Sequence, residues 1–546
     1  MLDRLFQSYR YRNMHEIYAA AVAIALTVYA FVYFWLLTFF GAPGERGQSV
    51  FNSLSIFLKL RFSGTPLSPG EIISFFVAAA ILAVPVPLFF FLSRIIKRKS
   101  LMKRYAQKQG TAEWAGKKEI AKLLEDKDVA TGVVIGYQKK TFKPNPVRLN
   151  FRSSCEHIAV IGPTGCGKTS VYFIYNLLTL PEGASAVVTD PKGEIEQITK
   201  NTLQSRGWTT TAFNISNPDS AVYNPLIIAA DETEVSEIAD ITLRNGYSSA
   251  GQSSDAQWVN LSASLWESLL LAALEIGTEN SRGADIPTAL NLTTKYDDKK
   301  LLEIIANAGG QAWEKHKMYL QSAKSPETMA SIKTVLTSSL RLFSRPDVRR
   351  VISDIPENKE PIYPENLRKS PTVFYIQVPE RKSELLKPLM ATMFWQLLEH
   401  IIDLDGCPVF FFLDEFPNIG KINSFAQMAA TVRSRKISIS IGLQGIEQLS
   451  REYSREEQSD IINNMKTKII YPGSSGESPE YITKNLGYST IKSRDGNYER
   501  RELLTPDEIR RIPDGKLLVL AHNLNPVLFD AVPYYQLPEF AAFKQN

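Results

Sequence analysis

Residues 162 to 169 read Gly-Pro-Thr-Gly-Cys-Gly-Lys-Thr, the spacing G-x-x-x-x-G-K-[ST] in full. A loop of this kind cradles phosphate. Gly162, Gly165 and Gly167 let the backbone curl until its N–H groups face phosphate oxygens, Lys168 reaches the outer phosphates, and the Thr169 hydroxyl takes a place on Mg²⁺. Pro163, Thr164, Cys166 and Ser170 complete the same binding set. An adjoining helix terminus would lower the pKa of Cys166, but a thiol that fills a variable loop position is the simpler reading, and no catalytic role is assigned to it. The chemistry needs a second group of residues on the metal side. Residues 408–413 form a continuous apolar run that ends in Asp414-Glu415. Parallel strands covered on both faces read this way, and ligands bind at their carboxyl edge. Asp414 is the expected Mg²⁺-side carboxylate and Glu415 the group that polarises the water attacking a γ phosphate, so hydrolysis of ATP is favoured over passive nucleotide binding.

The elements that must position these groups are legible as apolar runs. Residues 158–161 lead into the phosphate loop, 186–189 end in Asp190-Pro191-Lys192-Gly193-Glu194, and 209–213 form a third strand. Strand signals return after Pro371, at 373–376, 437–443, 468–471 and 517–521. Asp190 sits at a strand edge as Asp414 does and joins the nucleotide-side candidates, with a plain Pro-Lys-Gly turn as its alternative. Between 231 and 350 helical spacing dominates, as in 258–274. Trp258 and Trp266 lie eight positions apart on one helical face, which suits packing better than nucleic-acid stacking. The soluble part, about 440 residues, exceeds one compact core. The expected division is a membrane domain at 1–104, a linker and first part of the nucleotide-binding domain at 105–230, an all-α domain at 231–350, and the second part of the nucleotide-binding domain at 351–546. No internal repeat is visible, and Gly473-Ser474-Ser475-Gly476 resembles a flexible loop.

Residues 17–44 hold no Asp, Glu, Lys or Arg, and neither do residues 72–93, where Pro85 and Pro87 fall. Each run is long enough to cross a bilayer, giving expected spans at about 17–40 and 72–93. Arg4, Arg10 and Arg12 precede the first run and six Lys or Arg follow the second between 94 and 104, which places both ends in the cytoplasm. A first run of this length followed by another is not the pattern of a cleaved signal peptide. The whole chain carries +5, but residues 1–104 hold 12 Lys and Arg against 4 Asp and Glu, so the remainder carries −3. Overall charge is therefore no argument for a nucleic-acid partner of the soluble part. Cys155, Cys166 and Cys407 form no C-x-x-C pair, and His15, His157, His316, His400 and His522 are scattered, which disfavours disulfide and zinc sites.

Taken together these residues resemble the type IV coupling proteins, the TraG/TraD-type membrane ATPases of conjugation and type IV secretion. The resemblance spans almost the whole chain and rests on the paired apolar runs, Gly110-Thr111-Ala112-Glu113-Trp114, the phosphate loop, the Asp190 to Glu194 segment, Asn224-Pro225-Leu226, Trp258, the stretch from Leu413 to Gly420, Arg433, Gln444 and Leu503-Leu504-Thr505-Pro506-Asp507-Glu508. It implies a RecA-like P-loop ATPase core, mostly parallel and flanked by helices, with an inserted all-α domain behind a two-helix transmembrane hairpin. It further implies a bacterial inner-membrane protein, homo-hexameric, with ATP and Mg²⁺ between subunits. Single-stranded DNA bound to relaxase, or effector proteins, would pass to the components of a type IV secretion channel. Arg433 would act across a subunit boundary as an arginine finger; the alternative is a surface arginine beside Arg435 and Lys436. Gln444 would sense the γ phosphate or place water, or would only bond at a strand end. The chain ends soon after Tyr534-Tyr535, so recruitment through a long acidic tail is not expected.

Three functions remain open at this point: a DNA or nucleoprotein pump, a protein-only coupling ATPase, and a docking receptor whose nucleotide controls assembly. The acidic soluble part adds weight to the second. A double-strand chromosome translocase is a further alternative, disfavoured because no DNA-reading winged-helix segment follows the motor residues.

Overall fold

The computed structural model describes Pro69 and residues 110–116, 119–121, 132–140, 143–249, 256–280, 284–353, 361–493, 497–521 and 524–543. Both expected membrane spans lie outside the described residues. The chain divides into two compact units, one of residues 1–111 with Thr490–Glu499, the other of Ala112–Ser489 with Arg500–Asn546. The second unit carries the fold discussed below.

Its centre is an 11-stranded sheet in the order β2-β1-β13-β12-β9-β3-β8-β7-β4-β6-β5. In chain order the strands are β1 (Val134–Lys140), β2 (Lys143–Arg148), β3 (Ile158–Ile161), β4 (Ser185–Thr189), β5 (Thr209–Asn214), β6 (Thr372–Gln377), β7 (Val409–Leu413), β8 (Ile437–Leu443), β9 (Thr467–Ile470), β12 (Lys516–Ala521) and β13 (Val527–Asp530), with β10 (Tyr488–Lys492) and β11 (Tyr498–Glu502) forming a separate pair. From β9 to β5 every neighbouring pair is parallel. All residues of β3, β4, β7 and β8 are buried; β3 and β7 accordingly read as unbroken apolar runs, while β8 carries Ser438 and Ser440 between its isoleucines. The phosphate-loop strand β3 lies between β8 and β9, so Gln444 follows one neighbour of the loop strand; Asp414 follows β7, the next strand beyond it.

Two features depart from the sequence reading. The 517–521 strand, grouped with a parallel core, runs antiparallel to β9, and β13, β1 and β2 continue that antiparallel edge. A strand buried on both faces reads as an apolar run whether its neighbours are parallel or antiparallel, so the run at 517–521 did not disclose its direction. The β1–β2 hairpin gave no strand signal because β2 reads Lys-Pro-Asn-Pro-Val-Arg. Pro144 and Pro146 sit at alternate positions of an edge strand, where a missing N–H costs no ladder bond.

Between Glu232 and Ile352 the described residues are helical or in short connections. We label α1 (Glu194–Ser205), α2 (Glu232–Ser249), α3 (Ala256–Asn280) and α4 (Glu380–Ile402). Three helix starts in this stretch are capped by side chains, as Asp285, Asp297 and Ser325 accept from Thr288, Lys300 and Thr328 N–H groups. The helices do not close a core of their own. Leu265, Trp266, Leu269 and Leu270 of α3 share one apolar cluster with Leu389, Phe394 and Leu397 of α4 and with Phe411 and Ile439 of the sheet. Residues Gln257–Gly277 are long and apolar enough to cross a membrane, yet their Leu265, Trp266, Leu269 and Leu270 are fully buried in this cluster. Trp266 also donates from Nε1 to Thr242 Oγ1 at 2.9 Å, the packing role expected of it.

Several recurring segments have structural duties. Asn224 caps the Pro225–Ile228 helix, accepting from Leu226 N–H at 3.1 Å, and donates to Ala284 O at 2.8 Å. Thr505 and Glu508 form a capping box. The Gly473 to Gly476 stretch is exposed except at Ser474, which is fully buried and donates to Tyr471 O at 3.0 Å, so the loop is pinned at that residue.

Candidate active site

The phosphate loop leaves β3 at Gly162, whose N–H donates to Leu443 O at 3.0 Å. A side chain at Gly162 is excluded, since a Cβ there would lie 2.6 Å from Tyr471 Cβ and 2.8 Å from Cys166 Sγ. Gly165 and Gly167 hold φ values of 81° and 94°, left-handed conformations open to glycine. The chain then enters a single π turn, Thr169–Phe173, that continues as the helix Ile174–Leu178. Lys168 is buried, and its ammonium donates to Gly162 O at 2.6 Å and Pro163 O at 3.3 Å.

Thr169 Oγ1 donates to Asp414 Oδ2 at 2.6 Å, joining groups 245 residues apart. Asp414 is fixed further by its own backbone, because its carbonyl accepts from Thr189 Oγ1 at 2.7 Å and Glu415 N–H donates to its Oδ1 at 3.1 Å. Burial raises the Asp414 pKa, opposed by the Thr169 bond and by Lys168. Glu415 takes a left-handed backbone, φ 56° and ψ 49°, a strained state for a residue with a Cβ. Its Oε2 accepts from Gln444 Nε2 at 3.1 Å. Burial raises its pKa as well, and the Asp414 charge adds to that while Lys168 opposes it. A carboxylate with a raised pKa is a better base.

These residues line a cleft of about 260 Å³ with Thr164, Gly165, Gly167, Ser170, Asp190 and Glu194. The structure thus brings Lys168, Thr169, Asp190, Asp414, Glu415 and Gln444 together. Gly162, Pro163 and Cys166 belong to the loop but do not line the cleft. Burial raises the Cys166 pKa against the pull of Lys168, so the thiolate that a helix terminus would favour is not stabilised. Asp190 is largely spent on structure, since its Oδ2 accepts Glu196 N–H at 2.8 Å in the first turn of α1. Burial raises its pKa and those backbone bonds oppose the rise.

Arg433 is not in this cleft. It opens the short turn Arg433–Arg435 before β8, at the amino edge of the sheet, and its guanidinium pairs with the buried Glu156. Lys192 and Glu380 line the cleft without having been singled out. Lys192 stands three residues past the end of β4 and Glu380 three past the end of β6, so the carboxyl-edge rule applied to every strand would have found both.

Five carboxylates, of Asp190, Glu194, Glu380, Asp414 and Glu415, face two ammonium groups, of Lys168 and Lys192. An anionic polyphosphate fits such a lining only with a divalent cation. Thr169 Oγ1 and Asp414 Oδ2 supply oxygens suited to Mg²⁺, which takes one or two protein oxygens and completes its shell with phosphate and water.

A family model described as type IV secretory system conjugative DNA transfer matches residues 113–546. VirD4 of Agrobacterium fabrum is 24% identical over 500 residues, covering 86% of this chain and 72% of its own. The conjugal transfer protein TraG of Escherichia coli is 27% identical over 463 residues, covering 74% and 71%. The bacterial conjugative coupling protein TrwBdeltaN70 superposes with a TM-score of 0.61 at 19% identity, over 78% of this chain and 93% of its own. A second TrwB structure, in complex with ADP and Mg²⁺, superposes with a TM-score of 0.59. The structural likeness establishes a common fold, and the family match covers the phosphate loop, both strand-edge acids and the helical segment between them. This chain belongs to the type IV secretory system conjugative DNA transfer family, the type IV coupling proteins.

Proposed function

We propose that this chain is the membrane-bound coupling ATPase of a conjugative DNA-transfer system, and that residues 17–40 and 72–93 anchor it with both termini in the cytoplasm. The observation that carries the reading is the 2.6 Å bond between Thr169 and Asp414, which closes the phosphate loop onto the acid strand and puts Glu415 and Gln444 beside Lys168. TrwB, of the same fold, is described in complexes with the ATP analogue ADPNP and with ADP and Mg²⁺. Bound Mg²⁺ supplies charge neutralisation for the phosphates, and Thr169 and Asp414 would hold it.

Lys168 exchanges its loop carbonyls for phosphate oxygens when nucleotide enters. Glu415 holds the attacking water and accepts its proton, with Gln444 fixing the carboxylate plane through Oε2. Arg433 lies too far from its own cleft to take part there, and acts on the nucleotide of a second copy in a hexameric ring. Each hydrolysis step then moves the helical segment, because Lys421, seven residues beyond Asp414, donates its N–H to Asn245 Oδ1 of α2 at 2.8 Å. The cargo is single-stranded DNA bearing relaxase, delivered to the secretion channel. One observation favours a second cargo: the chain beyond residue 104 carries −3, which gives DNA no general attraction and suits effector proteins.

The test is the steady-state ATPase rate of the detergent-solubilised full chain with and without single-stranded DNA over a salt series. Stimulation that fades with salt and is absent in Glu415→Gln supports the DNA pump. Hydrolysis indifferent to DNA moves effector proteins to first place, and absence of hydrolysis in the wild type refutes the motor.

A further inference from the structure

Arg433 borders a second cleft, of about 430 Å³, lined also by Arg152, Cys155 and Lys436. Two side chains hold its turn and the residues that flank it. The buried Arg368 guanidinium donates to Arg435 O at 2.7 Å. His157, kept neutral by burial with its pKa lowered to about 4, donates from Nε2 to Ala429 O at 2.6 Å and accepts Ile439 N–H at Nδ1 at 3.1 Å. Lys436 leaves the turn with φ 58°. These groups fix the backbone alone. The Arg433 side chain is held separately, by the Glu156 carboxylate, which engages Nη2 and is itself 7% exposed while the arginine is 43% exposed.

An arginine carries five N–H donors in a rigid planar fork. Fastening one nitrogen fixes the plane of the fork and leaves donors for another acceptor. On an exposed site a long side chain otherwise samples many rotamers, and ordering it at the moment of reaction is costly. Glu156 is also well placed to remain still, because its own carbonyl accepts Lys466 N–H at 3.0 Å and β3 begins two residues later.

We infer that Glu156 is a positioning residue for Arg433, clamping one tine of the guanidinium so that the free donors present to the terminal phosphate on a second copy. This rests on the proposed trans action of Arg433. Glu156 lies outside the nucleotide cleft of its own copy, and the effect inferred here runs through Arg433.

The experiment measures kcat and KM for ATP of the full chain for Glu156→Ala, Glu156→Gln and Glu156→Asp, each with and without Arg433→Ala. Arg433→Ala is expected to lower kcat by about 10³-fold. Glu156→Ala lowers it on the order of 10²-fold with KM changed less than about two-fold, the loss expected of a misplaced group acting in the transition state. Glu156→Gln, which keeps an acceptor but loses the charge-assisted bond, falls between, and Glu156→Asp recovers part of the rate. In the Arg433→Ala background the Glu156 changes add nothing further. Equal Glu156 effects in both backgrounds, or wild-type rates for both Glu156→Ala and Glu156→Gln, overturn the inference. Should Glu156→Ala fail to fold, the Glu156→Gln pair alone decides by the same comparison. A wild-type rate for Arg433→Ala alone refutes the trans reading instead, so the two failures are distinguishable.

Discussion

Gly442→Ala is the most informative single perturbation, because Gly442 carries no chemistry and lies in none of the motifs. It sits in β8 next to β7, and a Cβ there would come within 2.8 Å of Asp414 Oδ1, 3.1 Å of Asp414 Cα and 3.1 Å of Phe173 Cζ. β8 cannot move aside, because it is hydrogen-bonded in register to β3 on one side and β7 on the other. Asp414 must give instead, at the expense of its carboxylate bonds to Glu415 N–H through Oδ1 and to Thr169 through Oδ2. Overpacking of this kind costs about 1–3 kcal/mol. A displacement of about 1 Å at a metal-side carboxylate costs about 10²-fold in rate. The assay is steady-state ATPase of the full chain beside its thermal melt. Gly515→Ala is the control, since its φ of 75° makes the change strained while nothing lies within 4 Å of the added atom. That control should lose about 1–2 kcal/mol of stability and keep its rate. A Gly442→Ala protein with wild-type kcat, or one whose rate falls only in proportion to the Gly515→Ala protein's, refutes the placement of Asp414 against β8.

Lys168→Ala should abolish hydrolysis and leave the melting temperature nearly unchanged, because the ammonium bonds only to carbonyls of its own loop; loss of folded protein would count against this. Stability should fall between pH 6.5 and 9 through His400, whose bonds to Glu234 at 2.8 Å and Glu365 at 2.7 Å raise its folded pKa to about 9, above the ordinary value of 6.5. The raised value means the contribution is complete below pH 6.5 and gone above pH 9. Melting temperatures across that window should slope for the wild type and flatten for His400→Gln. His157 gives the opposite sign, because burial lowers its folded pKa to about 4, so its contribution is complete above pH 6.5 and lost as pH falls toward 4. His157→Asn, which tolerates the φ of 63°, should remove that acid loss in thermal melts, and an unchanged acid limb would count against it.

Much of this protein was legible in its residues alone. The phosphate loop was readable because its chemistry is local: Gly162, Gly165, Gly167, Lys168 and Thr169 act through backbone geometry set within eight positions. The strands β3 and β7 were readable because a strand buried on both faces is apolar throughout, and the acids at the end of β7 stand out against that run.

Tertiary structure alone decided what depends on which strands become neighbours. The order β3-β8-β7-β4 brings Thr169 to Asp414, sets Gln444 on Glu415, and makes Gly442 a steric requirement of an acid on another strand. The same order places Arg433 at the amino edge and hands its side chain to Glu156, 277 positions away. It also set Leu265, Trp266 and Leu269 of the helical segment in one apolar cluster with Phe411 and Ile439 of the sheet. Periodicity records that a face is buried, and the partner that covers it is chosen only when the chain packs.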